Sequence, residues 1–395
     1  MNNITVALFT LVALGIAACG RQQADETVAE VPVEVAAPLT VEAAGGNPAA
    51  EKAVAAIDGE YMRAIVKEIS DDRYEGRGPG SRGDEAARKY LAEQLAAAGL
   101  KPGGTDGSWE QPFELVGVNA AQPESMTITG EDGTKTLKQW DQYIVGSGVQ
   151  EERVEVTDAE FVFVGYGIQA PEYDWDDYKD VDVDGKIVII MNNDPDWDPE
   201  LFEGEKRLWY GRWDYKYMMA GMQGAAGAMI IHTTPSAGYP YQVVQTSWTG
   251  VQFELPAGDE PRSQVLGWFT EDTARDIIAM SGHDLEELRE RAYNRDFRPV
   301  PLGISTSIEM NVEIQRVQSA NVLGLIEGSD PELKDEVVIY TAHHDHLGIG
   351  TPNEDGDTIY NGAYDNASGV AIVMAIAKAY LALPEPPRRS ILIAL

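Results

Sequence analysis

The sequence predicts an α/β fold: a mixed, mainly parallel sheet flanked by helices and interrupted by a strand-rich insert. Three stretches predict it. Val337-Val338-Ile339-Tyr340, with Ala342 beyond Thr341, is an apolar run that reads as a strand buried on both faces. Val370 to Leu383 (VAIVMAIAKAYLAL) is a nearly all-apolar helix, suited to lie against a sheet. Ser390 to Leu395 (SILIAL) then begins another buried strand, which completes a strand–helix–strand unit.

At 395 residues the chain is long enough for two or three domains. It carries 65 acidic against 30 basic residues, a formal charge of −35. That balance weighs against nucleic acid and anionic membrane surfaces as partners. Residues 4–18 (ITVALFTLVALGIAA) are apolar but shorter than a comfortable span of ~20 residues. They end in small residues, as a secretory signal does, although the leading MNN lacks a positive charge. The single cysteine, Cys19, excludes an intramolecular disulfide. Ile16-Ala17-Ala18-Cys19-Gly20 resembles a bacterial lipoprotein signal. The resemblance implies cleavage before Cys19, lipidation of Cys19 and a place in the bacterial cell envelope, on an outer-membrane lipoprotein facing periplasm or exterior. Residues 1–19 are then a signal peptide. Residues 20–50, rich in Ala, Val, Glu and Pro without period, are a disordered acidic tether.

Residues 51–70 place Ile57, Tyr61, Ile65 and Ile69 four apart and predict one helix. A Gly-rich loop follows, Tyr74-Glu75-Gly76-Arg77-Gly78-Pro79-Gly80-Ser81. Residues 84–98 predict a second helix, with Asp84 and Glu85 favouring its positive end and Gly99 stopping it. From residue 140 to 300 the strand signals are FVFVGYGI, KIVIIM and AMII, between loops rich in Gly, Pro, Asp and Trp. Residues 270–293 predict a helix. Alternation at Ile308, Met310, Val312 and Ile314 predicts strands, and 321–326 is expected to pack beside 337–342.

The apolar run at 337–342 stops in His343-His344-Asp345-His346. Ligands of open α/β sheets gather at the carboxyl ends of strands. If the strand continues, His343 and Asp345 share one face while His344 and His346 take the other. His343 can then bind a metal while Asp345 accepts from its second ring nitrogen, fixing the tautomer. Asp365 comes 22 residues after His343, within Gly362-Ala363-Tyr364-Asp365-Asn366-Ala367-Ser368-Gly369. Small residues there allow a tight turn at the start of a helix. Imidazole nitrogen with carboxylate oxygen suits zinc better than magnesium or calcium. His232 and His283 lie in the insert and are not expected to ligate. Asp174, Asp176 and Asp177 lack the twelve-residue calcium-loop pattern and read as turn residues.

The strand-end H-x-D with the later turn resembles the co-catalytic zinc aminopeptidases of metallopeptidase family twenty-eight (clan MH). The segments YEGRGPGSRGDEAARKYLAEQLAAAGLKP and FVGYGIQAPEYDWDDYKDVDVDGKIVIIMNNDP extend the likeness to bacterial members with an inserted protease-associated domain. The resemblance implies a zinc-peptidase-like, phosphorylase-hydrolase-like fold, in which residues 51–139 are its N-terminal part, 140–300 the protease-associated insert and 301–395 the first half of the catalytic domain. It implies that His343 ligates zinc, that Asp345 orients it as the catalytic aspartate, and that Asp365 bridges two zinc ions. Asn366 matches the residue that often follows across a cis bond. Tyr364 departs from the commoner acidic residue but is not a ligand position.

The implied reaction is removal of N-terminal residues from peptide substrates by two-zinc activation of water. The family's general-base glutamate and remaining ligands are expected after Leu395, so the chain as it stands is expected to bind metal weakly and incompletely and to lack catalysis. Alternatives of other kinds are a catalytically inactive peptidase-like binding protein, and a related two-zinc carboxypeptidase or amidase.

Overall fold

A computed structural model describes residues 48–353 and 355–395. Cys19, the signal sequence and the tether through residue 47 lie outside the described residues. Among the described residues no helix is long and apolar enough to cross a membrane.

Two helices stand where one was expected over 51–70: Pro48–Val54 and α1 (Gly59–Ile69). Asp58 divides them, because its side chain accepts from the backbone of Glu60 at 3.0 Å and starts α1 afresh. Ile65 and Ile69 are buried, whereas Ile57 stays exposed. Helix α2 (Arg82–Ala98) is capped by Ser81 and stops at Gly99, whose φ of 101° suits glycine.

A sheet of mixed direction follows. It comprises β1 (Glu110–Ala120), β2 (Arg153–Phe163), β3 (Ile187–Met191), β4 (Gly227–His232), β5 (Val265–Thr270), β6 (Val300–Ile326), β7 (Val337–Thr341) and β8 (Ser390–Ala394), with shorter strands attached. Pairing is parallel for β2–β3, β3–β4, β4–β5 and β7–β8. The long β6 pairs antiparallel with β1, β2 and β8. The helix expected over 270–293 is two, α3 (Glu271–Ala279) and the shorter Leu285–Ala292, joined by a turn.

β6 is a single strand of 27 residues and the spine of the molecule. Its first half alternates buried and exposed residues from Val300 to Val312 and joins a core made with β2 to β5. Its last residues, Val322 and Ile326, join a second core with α1, α2, α4 (Ser368–Leu381) and β8. Between them Glu313, Gln315, Arg316 and Gln318 are exposed. The first core begins at Val116, upstream of residue 140, and runs to Val312.

Two expectations about β7 are corrected. β8 lies between β6 and β7, so residues 321–326 are not beside 337–341. And β7 is not buried on both faces: Val337, Val338 and Ile339 are 45, 39 and 55 % exposed. The reason is its place. It pairs along one edge only, and among the described residues no strand lies on the other.

Candidate metal centre

β7 ends at Thr341, and the backbone is irregular from Ala342 to Leu347. There His343 presents Nε2 to Asp365 Oδ1 at 3.0 Å. Its Nδ1 faces Asp345, 3.4 Å from Oδ1 and 3.1 Å from the backbone oxygen. The His343 and Asp345 side chains are about half exposed, and that of Asp365 about two thirds. The hydrogen bond with Asp345 outweighs desolvation and raises the His343 pKa to about 9. Burial pushes Asp345 up, but His343 and His344 hold it below the usual carboxylate range. Asp365 stands in the turn before α4, and its peptide bond to Asn366 is cis. Tetrahedral ligands of one zinc, each at ~2.0–2.2 Å, lie about 3.3–3.6 Å apart. The His343–Asp365 pair, 3.0 Å apart, fits zinc in donor type and would have to open slightly to share an ion. Among the described residues no group of three or more His, Cys, Asp or Glu is arranged to hold a metal ion.

What fixes these two segments comes from far away in the chain. Arg77, in the Gly-rich loop, is wholly buried. Its Nε donates to the backbone oxygen of His344 at 2.6 Å, and its two terminal nitrogens donate to Asn361 at 2.8 Å and Gly362 at 2.9 Å. A further bond reaches Ile69. One guanidinium, a rigid fork of five donors, thereby ties α1, the strand end and the Asp365 turn together. Burial pulls its pKa down, opposed by the charges of Asp345 and Asp365. Gly76 makes this contact possible: at φ 64° a Cβ there would meet the backbone oxygens of Gly348 and Tyr360, each at 2.5 Å.

Asp84 holds the other side. Its Oδ1 is 2.8 Å from His344 Nε2 and accepts from Arg88 at 3.3 Å. Its Oδ2 accepts from the Gly80 backbone at 3.0 Å and from the Ser319 hydroxyl at 3.1 Å. Desolvation pushes Asp84 up, yet the His344 and Arg88 contacts and the Gly80 N–H hold it below the ordinary range. His344 is pinned inward by this bond while its neighbour His343 points outward.

The centre opens into a cleft of about 1150 Å³. His343, Asp345, His346 and Asp365 line one part of it. The strand-rich part of the chain also lines it, through Trp140, Val243 and Val251.

Comparison with known proteins bears on this geometry. Residues 321–395 match the family model of Peptidase family M28. Both candidate ligands and Asp345 fall inside that stretch. No curated protein matches the chain. Among solved structures, an aminopeptidase from Aneurinibacillus sp. strain AM-1 is 18 % identical, with a TM-score of 0.43 over 87 % of this chain and 64 % of that one. A peptidase M28 precursor from Shewanella amazonensis SB2B is 19 % identical, with a TM-score of 0.46 over 88 % and 66 %. BSAP, a zinc aminopeptidase from Bacillus subtilis, is 14 % identical, with a TM-score of 0.34 over 85 % and 60 %. The chain thus spans less than two thirds of the length of those structures.

Within the M28 stretch the structure brings His343, Asp345 and Asp365 together, and it corrects the placement of the other histidines. His344 and His346 do not share a face. The strand stops two residues before His343, so strict alternation fails: His344 turns into the core, and His346 lines the cleft beside Gly362. His232 is buried against Tyr239, whose backbone oxygen lies 3.1 Å from its Nε2, and neither it nor His283 lines the cleft. Asp174 is a left-handed turn residue, but Asp176, expected in a turn, ends the two-residue strand Trp175–Asp176 and accepts from the Tyr178 backbone. Asp177, by contrast, is buried and accepts from the Ile168 backbone at 3.0 Å.

Arg77 and Asp84 lie outside the M28 stretch, and reading the sequence missed both. The usable signal for Arg77 is an arginine set among three glycines and a proline. Such a loop lets the backbone approach closely and leaves a charge to be neutralised. Asp84 carried a signal too, but it was read as a favourable charge at a helix start.

Proposed function

We propose that this chain carries part of the active site of a zinc-dependent metallo-exopeptidase, an aminopeptidase, with His343 and Asp365 as metal ligands and Asp345 as the residue that orients His343. One observation carries the reading: His343 Nε2 and Asp365 Oδ1 lie 3.0 Å apart at the edge of a large cleft. The M28 match over residues 321–395 supports it.

Asp345 sits against Nδ1, so the ring offers Nε2 towards Asp365. Only a neutral imidazole ligates, so His343 would hold a metal through an unprotonated Nε2 while Nδ1 keeps its proton towards Asp345. What zinc supplies when bound is Lewis-acid polarisation of a peptide carbonyl. Arg77 and Asp84 hold the two segments in register through the backbone of His344, Asn361 and Gly362 and through the His344 side chain. The cleft provides room for an extended peptide beside them.

Two ions, with Asp365 bridging, belong to the same proposal. So do a protease-associated role for the strand-rich part and anchoring of the protein to the bacterial envelope through lipid on Cys19. Support for the anchor is the small-residue run ahead of Cys19.

The test is zinc content of the purified full-length protein together with release of nitroaniline from leucine p-nitroanilide. His343→Ala and Asp365→Ala are each expected to lower bound zinc and to abolish release. A protein without zinc and without hydrolysis overturns the proposal.

A further inference from the structure

Large apolar side chains that stay in contact with water gather on the walls of one cleft. Trp140, Val243 and Val251 lie on the strand-rich side, and Leu347 and Ile349 on the side of the candidate metal centre. All five are more than a third exposed. Scattered exposed apolar residues are ordinary, but a group of them facing a single concavity marks a binding surface.

Trp140 stands out among them. Its φ is 74°, in the left-handed region, which is a true outlier for a bulky residue. The conformation is held from both sides of the peptide: the Trp140 N–H donates to the Tyr143 oxygen at 3.0 Å, and Gln245 Nε2 donates to the Trp140 oxygen at 2.8 Å. Gln245 lies on the helix Tyr241–Ser247, which also carries Val243. An unfavourable backbone therefore holds an indole half in water at the rim of the cleft. Such outliers cluster where a side chain must be aimed at a ligand.

The same cleft is lined by polar groups, His343, Asp345 and Asp365. An occupant that fills it meets both kinds of lining, polar groups that suit main-chain atoms and apolar ones that suit apolar side chains. An extended peptide with bulky aliphatic or aromatic side chains offers both. We infer that Trp140, with Val243 and Val251, is the specificity wall of this cleft and selects peptides with large apolar side chains over small or polar ones. This rests on the peptidase reading for its reaction but not for its binding.

The experiment keeps the two apart. Full-length protein is titrated into fluorescein-labelled Leu-Leu-Leu-Gly-Gly and Ser-Ser-Ser-Gly-Gly, and affinity is read by anisotropy, with hydrolysis of the same peptides followed separately. The wild type is expected to prefer the leucine peptide. Trp140→Ala is expected to reduce that preference about tenfold, the loss typical of truncating an aromatic anchor. Trp140→Phe is expected to restore it to within about threefold, which separates a lost contact from a damaged fold. Unchanged preference in Trp140→Ala, equal weakening for both peptides with no rescue by phenylalanine, or no preference in the wild type overturns the inference. A wild type that binds the leucine peptide through Trp140 but hydrolyses nothing overturns the peptidase reading and leaves the wall standing.

Discussion

β3 and β7 are written in the same letters and meet different fates. Ile187-Val188-Ile189-Ile190-Met191 and Val337-Val338-Ile339-Tyr340-Thr341 are both short apolar runs. Every residue of β3 is buried, since β2 and β4 flank it in parallel. In β7 three apolar residues are 39–55 % exposed, since among the described residues β8 alone flanks it. An apolar run states what a strand can tolerate. Coverage is supplied by neighbours that the run itself does not name. The same contrast runs along β6: both of its ends are enclosed in cores, while Glu313, Gln315, Arg316 and Gln318 between them stay exposed.

The largest effect expected from this contrast is in β3. Ile189 is wholly buried between two parallel neighbours. Ile189→Asp places a carboxylate where no partner exists, at a cost of about 4 kcal/mol or more. The expected outcome is loss of soluble folded protein, checked by far-ultraviolet dichroism and urea unfolding. A cooperative transition near that of the wild type would break the comparison.

Next comes Arg77. Methionine at this position keeps most of the volume but leaves the oxygens of Ile69, His344, Asn361 and Gly362 without their donor. The expected loss is about 3 kcal/mol in unfolding free energy. Zinc affinity should fall by a further factor of about 10–100, the range seen when groups supporting ligands are removed. Arg77→Lys should rescue little, because a single ammonium cannot span three segments. Calorimetric zinc titration beside urea melts separates the two losses.

Asp84 gives a pH-dependent effect. Its folded pKa lies below the unfolded value, which is about 3.9. Its stabilisation is therefore fully present above pH ~4 and is lost as pH falls through the lower folded pKa. Asp84→Asn should cost about 2 kcal/mol at neutral pH and flatten the acid limb of a stability–pH profile. An acid limb as steep as that of the wild type would show that other carboxylates carry it.

These residues also mark how far the sequence can be read. The pairing of His343 with Asp365, and Asp345 behind it, was legible because the H-x-D at a strand end and the later Gly/Asn/Ser turn together resemble a family motif. Helices α2 and α4 and strand β8 were legible within two residues, from caps and apolar runs. Arg77 and Asp84 act on residues some 260–290 positions away, and no local pattern encodes that distance. The faces of His344 and His346 were misread because alternation was extended past Thr341, where the ladder hydrogen bonds end. The wall at Trp140 was hidden for the same reason as Arg77: the cleft is assembled from segments two hundred residues apart.

The smallest effect belongs to β7, and it tests the comparison from the other side. Ile339 is 55 % exposed, so a polar substitute loses little burial. Ile339→Lys should change unfolding free energy by no more than about 0.5 kcal/mol, the usual range for surface positions. An unpaired apolar edge also invites pairing with another chain, and lysine is the residue that most often blunts such edges. The substitution should therefore reduce concentration-dependent self-association of residues 48–395, read by light scattering, while leaving the urea midpoint in place. A destabilisation approaching that of Ile189→Asp would mean that β7 is covered in solution as fully as β3, and the difference between the two strands would disappear.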